Sequence, residues 1–333
     1  MKVNEKKIDD LNLELTIEVA AADYAEIEKN KLSQRRRTAD FKGFRKGMVP
    51  ASLIKRVYGQ QALVESVNQV LGQALDKHIN DNKIRILGEP LASANQPEVE
   101  WEDGHDFTFV FDLGLSPEVT VEVEKGDTVP SYSVTVSAKD KAPMIENLKK
   151  YYEEHKEEGE EARTDEEIEK EVTERLKGQY KNEAEWRLTK DIRDFYIAKA
   201  GVQLPETFLK RWLVEANGGK VTAEDVEKDF PGFAEDFKWQ LVRGTLMQKW
   251  GFQVEEKDLH EQAEAFARYQ YAMYGIGNVP DDMVKEMAVN LLQDQKQVER
   301  LVEQIEDRKV LDKIKETITL KPTKISAAKF REL

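Results

Sequence analysis

Two hydrophobic periods alternate along the first part of the chain. Apolar side chains fill every second position from Leu11 to Val19 and again from Phe107 to Leu113, which predicts half-buried strands. Between these strands, apolar positions at helical spacing predict a helix from about residue 23 to residue 37. A short helix is expected after Pro50, ending at Gly59, and a longer one follows it to Ile79. Residues 1–115 are therefore predicted to form an α+β domain.

The next stretch is predicted to contain little regular structure. Residues 116–136 look like an extended connector, with alternation at Val119 to Val123 and a last strand-like piece at Val134 and Val136. Twelve acidic residues lie between Glu153 and Glu174, which favours a solvated helix or a mobile linker. Residues 116–165 are therefore interpreted as a connector and an acidic linker.

The remaining residues, 166–333, are predicted to form an elongated all-α domain. Apolar side chains recur at every fourth position from Ile168 to Ile192, which indicates one long helical arm. Thr222 and Asp225 resemble a capping box. Helices are expected to begin near Pro205, Pro231 and Pro280. They are expected to end near Gly218, Gly251 and Gly275. The basic segment 321–333 is expected to pack as a short tail or to fray.

Composition limits the chemistry that this chain can perform. The 333 residues include no cysteine, which excludes disulfides and thiolate chemistry, and the four histidines stand far apart, so no metal or cofactor is expected. Nucleotide-binding and hydrolase motifs are missing, so the sequence gives no support to an enzymatic function. The N-terminus lacks a signal-peptide core and no apolar run suits a membrane span, so we expect a cytoplasmic protein without a membrane partner.

Charge is distributed unevenly. The whole chain carries a formal charge of −14, but the segment 29–58 holds ten basic residues and one acid. A charge run is usually a solvated face. In this chain the contrast with the remaining residues favours an anionic partner.

The decapeptide FKGFRKGMVP at 41–50 stands out within that basic segment. Two glycines flank an aromatic residue and two cations, a pattern that predicts an exposed loop tip. Arginine and lysine bind phosphate, and phenylalanine can enter an apolar crevice or stack on a base. An isolated motif of this kind would more often be an ordinary turn with its phenylalanine in the core. The candidate binding residues are Arg36, Arg37, Lys42, Gly43, Phe44, Arg45, Lys46 and Gly47.

Residues 43–50 resemble the ribosome-docking signature of bacterial trigger factors. Further segments fall in the order that this family shows, at 53–59, 84–90, 106–113 and 116–119. Weaker similarity continues through Leu204-Pro205-Glu206 and 299–320. The resemblance implies an N-terminal domain that binds large-subunit protein and rRNA near the ribosomal exit tunnel. It also implies C-terminal helices that form a cradle for unfolded nascent polypeptides.

The sequence departs from the family in one large respect. Trigger factors usually carry an inserted prolyl isomerase domain of FKBP type, whereas residues 132–163 offer only a strand-like piece and an acidic run. We therefore expect this domain to be absent and the chain not to be an enzyme. The preferred hypothesis is an ATP-independent chaperone on the ribosome. The alternatives are an assembly factor that binds rRNA and ribosomal protein, and a retained prolyl isomerase.

A client-binding surface is expected among the C-terminal helices, where methionine would supply adaptability and aromatic side chains would supply area. For each residue singly, core packing is the commoner role. Trp212 and Trp239 are further candidates, and a homodimer is a possible assembly. The principal client-binding candidates are Phe266, Tyr269, Tyr271, Met273, Tyr274, Met283, Met287 and Leu291.

Overall fold

The computed structural model describes residues 1–155 and 163–333, which form two compact units. The first unit contains residues 1–118 and 203–234, and the second contains residues 119–202 and 235–333. Segment 203–234 thus groups with the N-terminal residues, although it follows the long helix in sequence. The functional division at residues 115 and 165 stays a prediction, because compactness alone does not assign a function.

Strands and helices alternate in the N-terminal part of the chain, and helices predominate after it. The N-terminal part forms β1 (Lys2–Lys7), β2 (Asn12–Val19), α1 (Ala21–Thr38), α2 (Ala51–Asp81), β3 (Ile86–Ala92) and β4 (Phe107–Leu115). It is followed by β5 (Thr128–Thr135), α3 (Ala138–Glu154), α4 (Asp165–Ala200), α5 (Glu206–Ala216) and α6 (Ala223–Trp250). The chain ends with α7 (Glu256–Met273), α8 (Asp281–Gln293), α9 (Gln295–Thr317), β6 (Thr319–Ser326) and α10 (Ala327–Phe330).

An antiparallel sheet with strand order β1-β2-β4-β3 organises the first unit. Leu15 pairs with Phe111 and Ile17 with Phe109, so the alternating apolar residues of both strands share one face. Helices α1 and α2 cover that face, where Ile17 and Val67 are fully buried. The alternation therefore predicted both the strands and the face that they bury.

Helix α5 packs against the other face of this sheet. The ring of Phe208 lies so close to Gly114 that an added Cβ would come within 2.4 Å of it, and Trp212 approaches Gly88 in the same way. Arg211 donates to Asp112 of β4 at 2.7 Å. Glycine is needed at both strand positions because any side chain there would displace an aromatic ring of α5.

The second unit is built around the apolar stripe of α4, which the sequence predicted. Every fourth residue from Ile168 to Ile192 is buried. Side chains from α3, β5 and α10 pack on the first half of the stripe, among them Leu148, Tyr132 and Phe330. Strand β5 pairs in parallel with β6, which brings residues 128–135 beside residues 319–326.

A charged cluster joins three helices of this unit. The Asp307 carboxylate of α9 accepts hydrogen bonds from Arg193 of α4 at 2.5 Å, and from Trp239 and Arg243 of α6 at 2.7 and 3.1 Å. Arg243 is only 8% exposed, so its charge needs partners, and Glu303 and Glu306 of α9 pair with it beside Asp307. Asp307 therefore fixes the relative positions of α4, α6 and α9.

Two predictions of helix boundaries were wrong. Residues 51–81 form the single helix α2, which runs through Gly59. A glycine inside a helix costs only about 1 kcal/mol, and the buried face of α2 at Leu63 and Val67 offsets that cost. Pro231 lies inside α6 rather than at its start, since the helix begins at Ala223 beside the Thr222–Asp225 capping box.

Three further segments differ from the sequence-based predictions. Residues 319–330 form β6 and α10, so the tail packs rather than frays, but its strand was not predicted because β5 is a distant partner. Val119 to Val123 form no strand, although Val121 is buried. Helix α3 occupies part of the expected linker, where Met144, Ile145 and Leu148 pack on α4. Residues 156–162 of the acidic run lie outside the described residues.

The expected fold class is confirmed, with an α+β N-terminal region followed by a helical part that contains one long helix. In the described ranges no helix combines the length and the apolar composition needed to cross a membrane.

One buried carboxylate ties the segment before β5 to α4. Asp127 accepts hydrogen bonds from the Tyr196 hydroxyl at 2.8 Å and the Lys199 ammonium at 2.6 Å, and it is 8% exposed. Burial raises the pKa of Asp127, but the bonds from Lys199, the Glu124 amide and Tyr196 outweigh that effect and hold the pKa below its usual range. The charged form of Asp127 therefore stabilises the folded second unit.

We expect Asp127→Asn to lower the free energy of unfolding at pH 7 by about 2 kcal/mol, because Lys199 loses its charged partner. Since the folded pKa is depressed, this contribution is present above the ordinary aspartate value of about 4 and is lost as the pH falls through the folded pKa. Urea unfolding measured from pH 7 to pH 2 should show the variant and the wild type converging in acid. The exposed Asp312→Asn serves as control, and a constant difference across the range would contradict the role of the charge.

Candidate functional site

The loop between α1 and α2 stands on a small apolar base. Ala39 and Val49 are buried at its two ends, and Ile54 of α2 is 1% exposed beneath it. The Phe41 ring meets Tyr58 edge-on with ring centres 6.2 Å apart. The base therefore holds both ends of the loop while the intervening residues project from it.

Two consecutive turns form the tip of the loop. The Phe44 amide donates to the Phe41 carbonyl at 3.0 Å, and the Met48 amide donates to the Arg45 carbonyl at 2.9 Å. Gly43 and Gly47 occupy the third position of these turns with φ values of +93° and +81°. A type II turn requires positive φ at that position. The spacing of the two glycines is therefore the spacing of two successive turns.

The turns expose the residues that the sequence singled out. Phe44 is 42% exposed and Met48 is 69% exposed, whereas Phe41 packs into the base. Lys42, Arg45 and Lys46 are exposed as well. The geometry excludes the ordinary-turn alternative in which Phe44 fills the core. The tip combines an aromatic ring with three cations on one short segment.

The cations of the basic segment fall into two groups. Lys31 and Arg35 lie within 4 Å of Glu65, and Lys55 forms an ion pair with Asp103. Within the described residues, no acidic side chain forms an ion pair with the other group, which comprises Lys29, Arg36, Arg37, Lys42, Arg45, Lys46 and Arg56. The positive potential of the segment is therefore concentrated on the loop and its flanks.

The structure gives Arg36 a second role that the sequence did not suggest. Its Nε donates to the Val49 carbonyl at 2.7 Å, across the base of the loop. Arg36 thus positions the C-terminal end of the loop at Val49. Arg37 is exposed and makes no such bond. A carbonyl partner at the far end of a loop leaves no signal in the local sequence.

A groove between α1 and α2 was also missed by sequence reasoning. Its wall includes Glu28, Lys55 and Asp103. Glu28 is 6% exposed, and burial together with the nearby Asp103 raises the pKa of its carboxyl. Asp103 lies far from the basic segment in sequence, so only the fold shows that it neutralises Lys55.

The C-terminal candidates meet at the hairpin of α7 and α8, but they are not equally accessible. Tyr269, Met273 and Tyr274 are 62%, 71% and 82% exposed, and Met283 is 45% exposed. The half-buried candidates are Phe266, Tyr271, Met287 and Leu291. Phe266 packs on the apolar cluster that joins α7, α8 and α9. An exposed apolar patch thus lies at the α7–α8 tip, and its role stays a prediction.

The two tryptophan candidates are used in packing. Trp239 is 2% exposed and its indole N–H bonds Asp307, while Trp212 lies against Gly88 in the first unit. Trp239 therefore has almost no surface left for a client, whereas Trp212 is half-buried and its client-binding role stays a prediction. Across residues 1–155 and 163–333, no group of three or more histidine or acidic side chains has a metal-binding arrangement.

Two family models match the chain. Residues 1–148 match the model described as bacterial trigger factor protein, and residues 184–333 match probable trigger factor, C-terminal domain. No prolyl isomerase domain lies between these matches.

Curated relatives carry the same family name, and a solved structure shares the fold. The trigger factor of Francisella tularensis subsp. novicida (strain U112) is 30% identical over 152 residues, which are 46% of this chain and 34% of the relative. That of Coxiella burnetii (strain CbuK_Q154) is 26% identical over 166 residues, or 49% and 36% of the two chains. The matches thus span about a third of these relatives' length. A structure from work on promiscuous substrate recognition by the trigger factor chaperone covers 95% of this chain and 99% of its own, with a TM-score of 0.55 and 14% identity.

Proposed function

The chain belongs to the trigger factor family, and on this premise we propose that it is an ATP-independent chaperone that docks on the ribosome and holds unfolded nascent chains. The observation that carries the proposal is the loop 41–50, whose tip exposes Phe44, Arg45 and Lys46 without acidic partners among the described residues. Its partner would be the large-subunit protein and rRNA near the exit tunnel.

The chemistry of the tip suits a mixed protein and RNA surface. The cations can bind phosphate and release counterions, while Phe44 can bury its ring in an apolar crevice. The two turns hold these groups in place before binding, which reduces the entropy that docking must overcome. An assembly factor that binds naked rRNA remains the second candidate, favoured by the same cations.

Clients would be held by exposed apolar side chains at the α7–α8 tip. Tyr269, Met273 and Tyr274 offer aromatic area and a flexible thioether without a fixed partner, which suits weak binding of many sequences. Release would follow from competition between client folding and these contacts.

Replacing Phe44, Arg45 and Lys46 together by alanine should abolish cosedimentation with purified 70S ribosomes, because both the charge and the apolar anchor are lost. Raised salt should weaken the wild-type complex in part, since phosphate contacts are screened. A control triple variant, with Ile8, Lys77 and Lys228 changed to alanine, likewise removes one exposed apolar and two exposed basic side chains from the first unit. Unchanged cosedimentation of the loop variant would exclude the loop as the anchor, and tight binding to naked rRNA would favour the assembly factor.

The double variant Tyr269→Gln, Met273→Gln should suppress aggregation of a denatured client several-fold less well than the wild type, without ATP in either assay. Both side chains are exposed, so the free energy of unfolding should change by less than about 0.5 kcal/mol. Light scattering of refolding citrate synthase provides the measurement, and Ile8→Gln, Val57→Gln provides the control. Full activity of the α7–α8 variant would show that clients bind elsewhere.

We also propose that the chain lacks prolyl isomerase activity. An enclosed apolar pocket must lower a rotation barrier of about 18–20 kcal/mol, and the family matches leave no isomerase domain between them. A protease-coupled assay on a short proline peptide should give the uncatalysed rate. A rate that rises in proportion to protein concentration would revive the isomerase alternative.

A further inference from the structure

Among the residues that the structure describes, strand β5 has one paired edge and one open edge. In the described part of the chain it belongs to a two-stranded sheet, whose other member is β6. Parallel sheets are normally larger and covered on both sides, so a pair of this kind leaves main-chain groups available for a further strand.

The hydrogen-bond pattern shows which groups face the open edge. In a parallel pair, successive residues alternate between facing the neighbour and facing away. The Thr319 amide donates to the Asp127 carbonyl at 2.9 Å, which assigns Asp127, and with it Val129, Ser131 and Ser133, to the side of β6. The main-chain groups of Pro130, Tyr132 and Val134 therefore face away from β6.

The prolines support this assignment. Pro130 falls at an outward position of β5, and Pro322, paired with Ser131, falls at an outward position of β6. Proline has no N–H to donate, so it is tolerated in a strand where no ladder bond is required. Beyond Pro130, the outward edge of β5 offers the N–H and C=O groups of Tyr132 and Val134.

A groove of about 250 Å³ runs along this edge. It is lined by the consecutive residues 131–134 of β5 and by α4 side chains from Lys177 to Leu188, with no residue of β6. A pocket on the face of a sheet would be lined by alternate residues, whereas consecutive residues line a pocket at an edge. The open main-chain groups of β5 therefore face this groove.

The groove has the length of a short strand. From residue 177 to residue 188, α4 rises about 16 Å, which an extended peptide spans with about five residues. Lys181 lies on the groove and forms no ion pair within the described ranges. Its ammonium would favour an acidic side chain or a peptide carbonyl on the occupant.

We propose that an extended segment of unfolded polypeptide binds in this groove and pairs with β5 as an added strand. The inference rests on the proposed chaperone function and names the conformation of the client that this site takes. Alternating N–H and C=O groups at a strand edge are matched by any extended main chain, so recognition at this edge is largely independent of sequence. It differs from the α7–α8 tip, where side chains would supply the contacts.

The test uses the full chain and two labelled seven-residue peptides of alternating threonine and valine. In the second peptide the four central amides of the six are N-methylated, which removes two of the three hydrogen-bond donors from each edge. Fluorescence anisotropy should show binding that the methylation weakens by about tenfold or more, since several hydrogen bonds are lost. Equal affinity of the two peptides would overturn the proposal.

Disulfide crosslinking then locates the site. Because the chain contains no cysteine, a single introduced cysteine is the one position at which a disulfide can form. A Lys181→Cys variant should crosslink to a cysteine-bearing copy of the first peptide, and the neighbouring exposed Asn182→Cys, outside the groove, should not. Equal crosslinking of both variants would overturn the proposal. So would self-crosslinking of Lys181→Cys that excludes the peptide, because a second copy would then be the occupant.

Client assays separate this inference from the proposed function. If the chain suppresses aggregation but fails the peptide tests, the groove proposal is wrong and the chaperone proposal stands. If it passes the peptide tests but suppresses no aggregation, the site is real and the chaperone proposal is wrong.

Discussion

The parallel pairing of β5 with β6 is the contact on which the second unit depends. It joins segments that are almost two hundred residues apart, and it places Tyr132, Val134 and Ile325 on the apolar stripe of α4. Closing so long a loop is entropically costly, and the cost is offset because the pair delivers both strands and α10 to one helix face. Asp127 ties the start of the strand pair to α4 through Tyr196 and Lys199. Asp307 of α9 joins that helix to α4 and α6.

The loop 41–50 is held at its base, independently of its exposed tip. Its ends are fixed by Ala39, Val49 and the Arg36 bond, so the tip does not need to contribute to the core. Phe44 and the neighbouring cations can then remain exposed at little cost to folding. In the proposed docking role, groups held in this way would be in place before a partner arrives, which would favour fast and salt-sensitive association.

The two candidate client surfaces differ in what they recognise. The α7–α8 tip offers apolar side chains, and the β5 groove offers main-chain hydrogen bonds. An unfolded chain carries both features, because its apolar side chains and its peptide groups are exposed together. Weak contacts of two kinds on one chaperone would hold a client without demanding a particular sequence.

The sequence by itself determined the elements whose signals are local. Alternation predicted β2 and β4 with their buried face, the four-residue repeat predicted α4, and the glycine spacing predicted the exposed tip at Phe44. The family also followed from the sequence, because its motifs are short and ordered. Tertiary structure alone decided that α2 continues through Gly59, that residues 319–326 form a strand, and that α5 returns to the first unit. It likewise decided which cations keep partners and which edge of β5 stays open. These features depend on contacts between residues distant in sequence, whose energies outweigh local propensity and leave no periodic pattern to read.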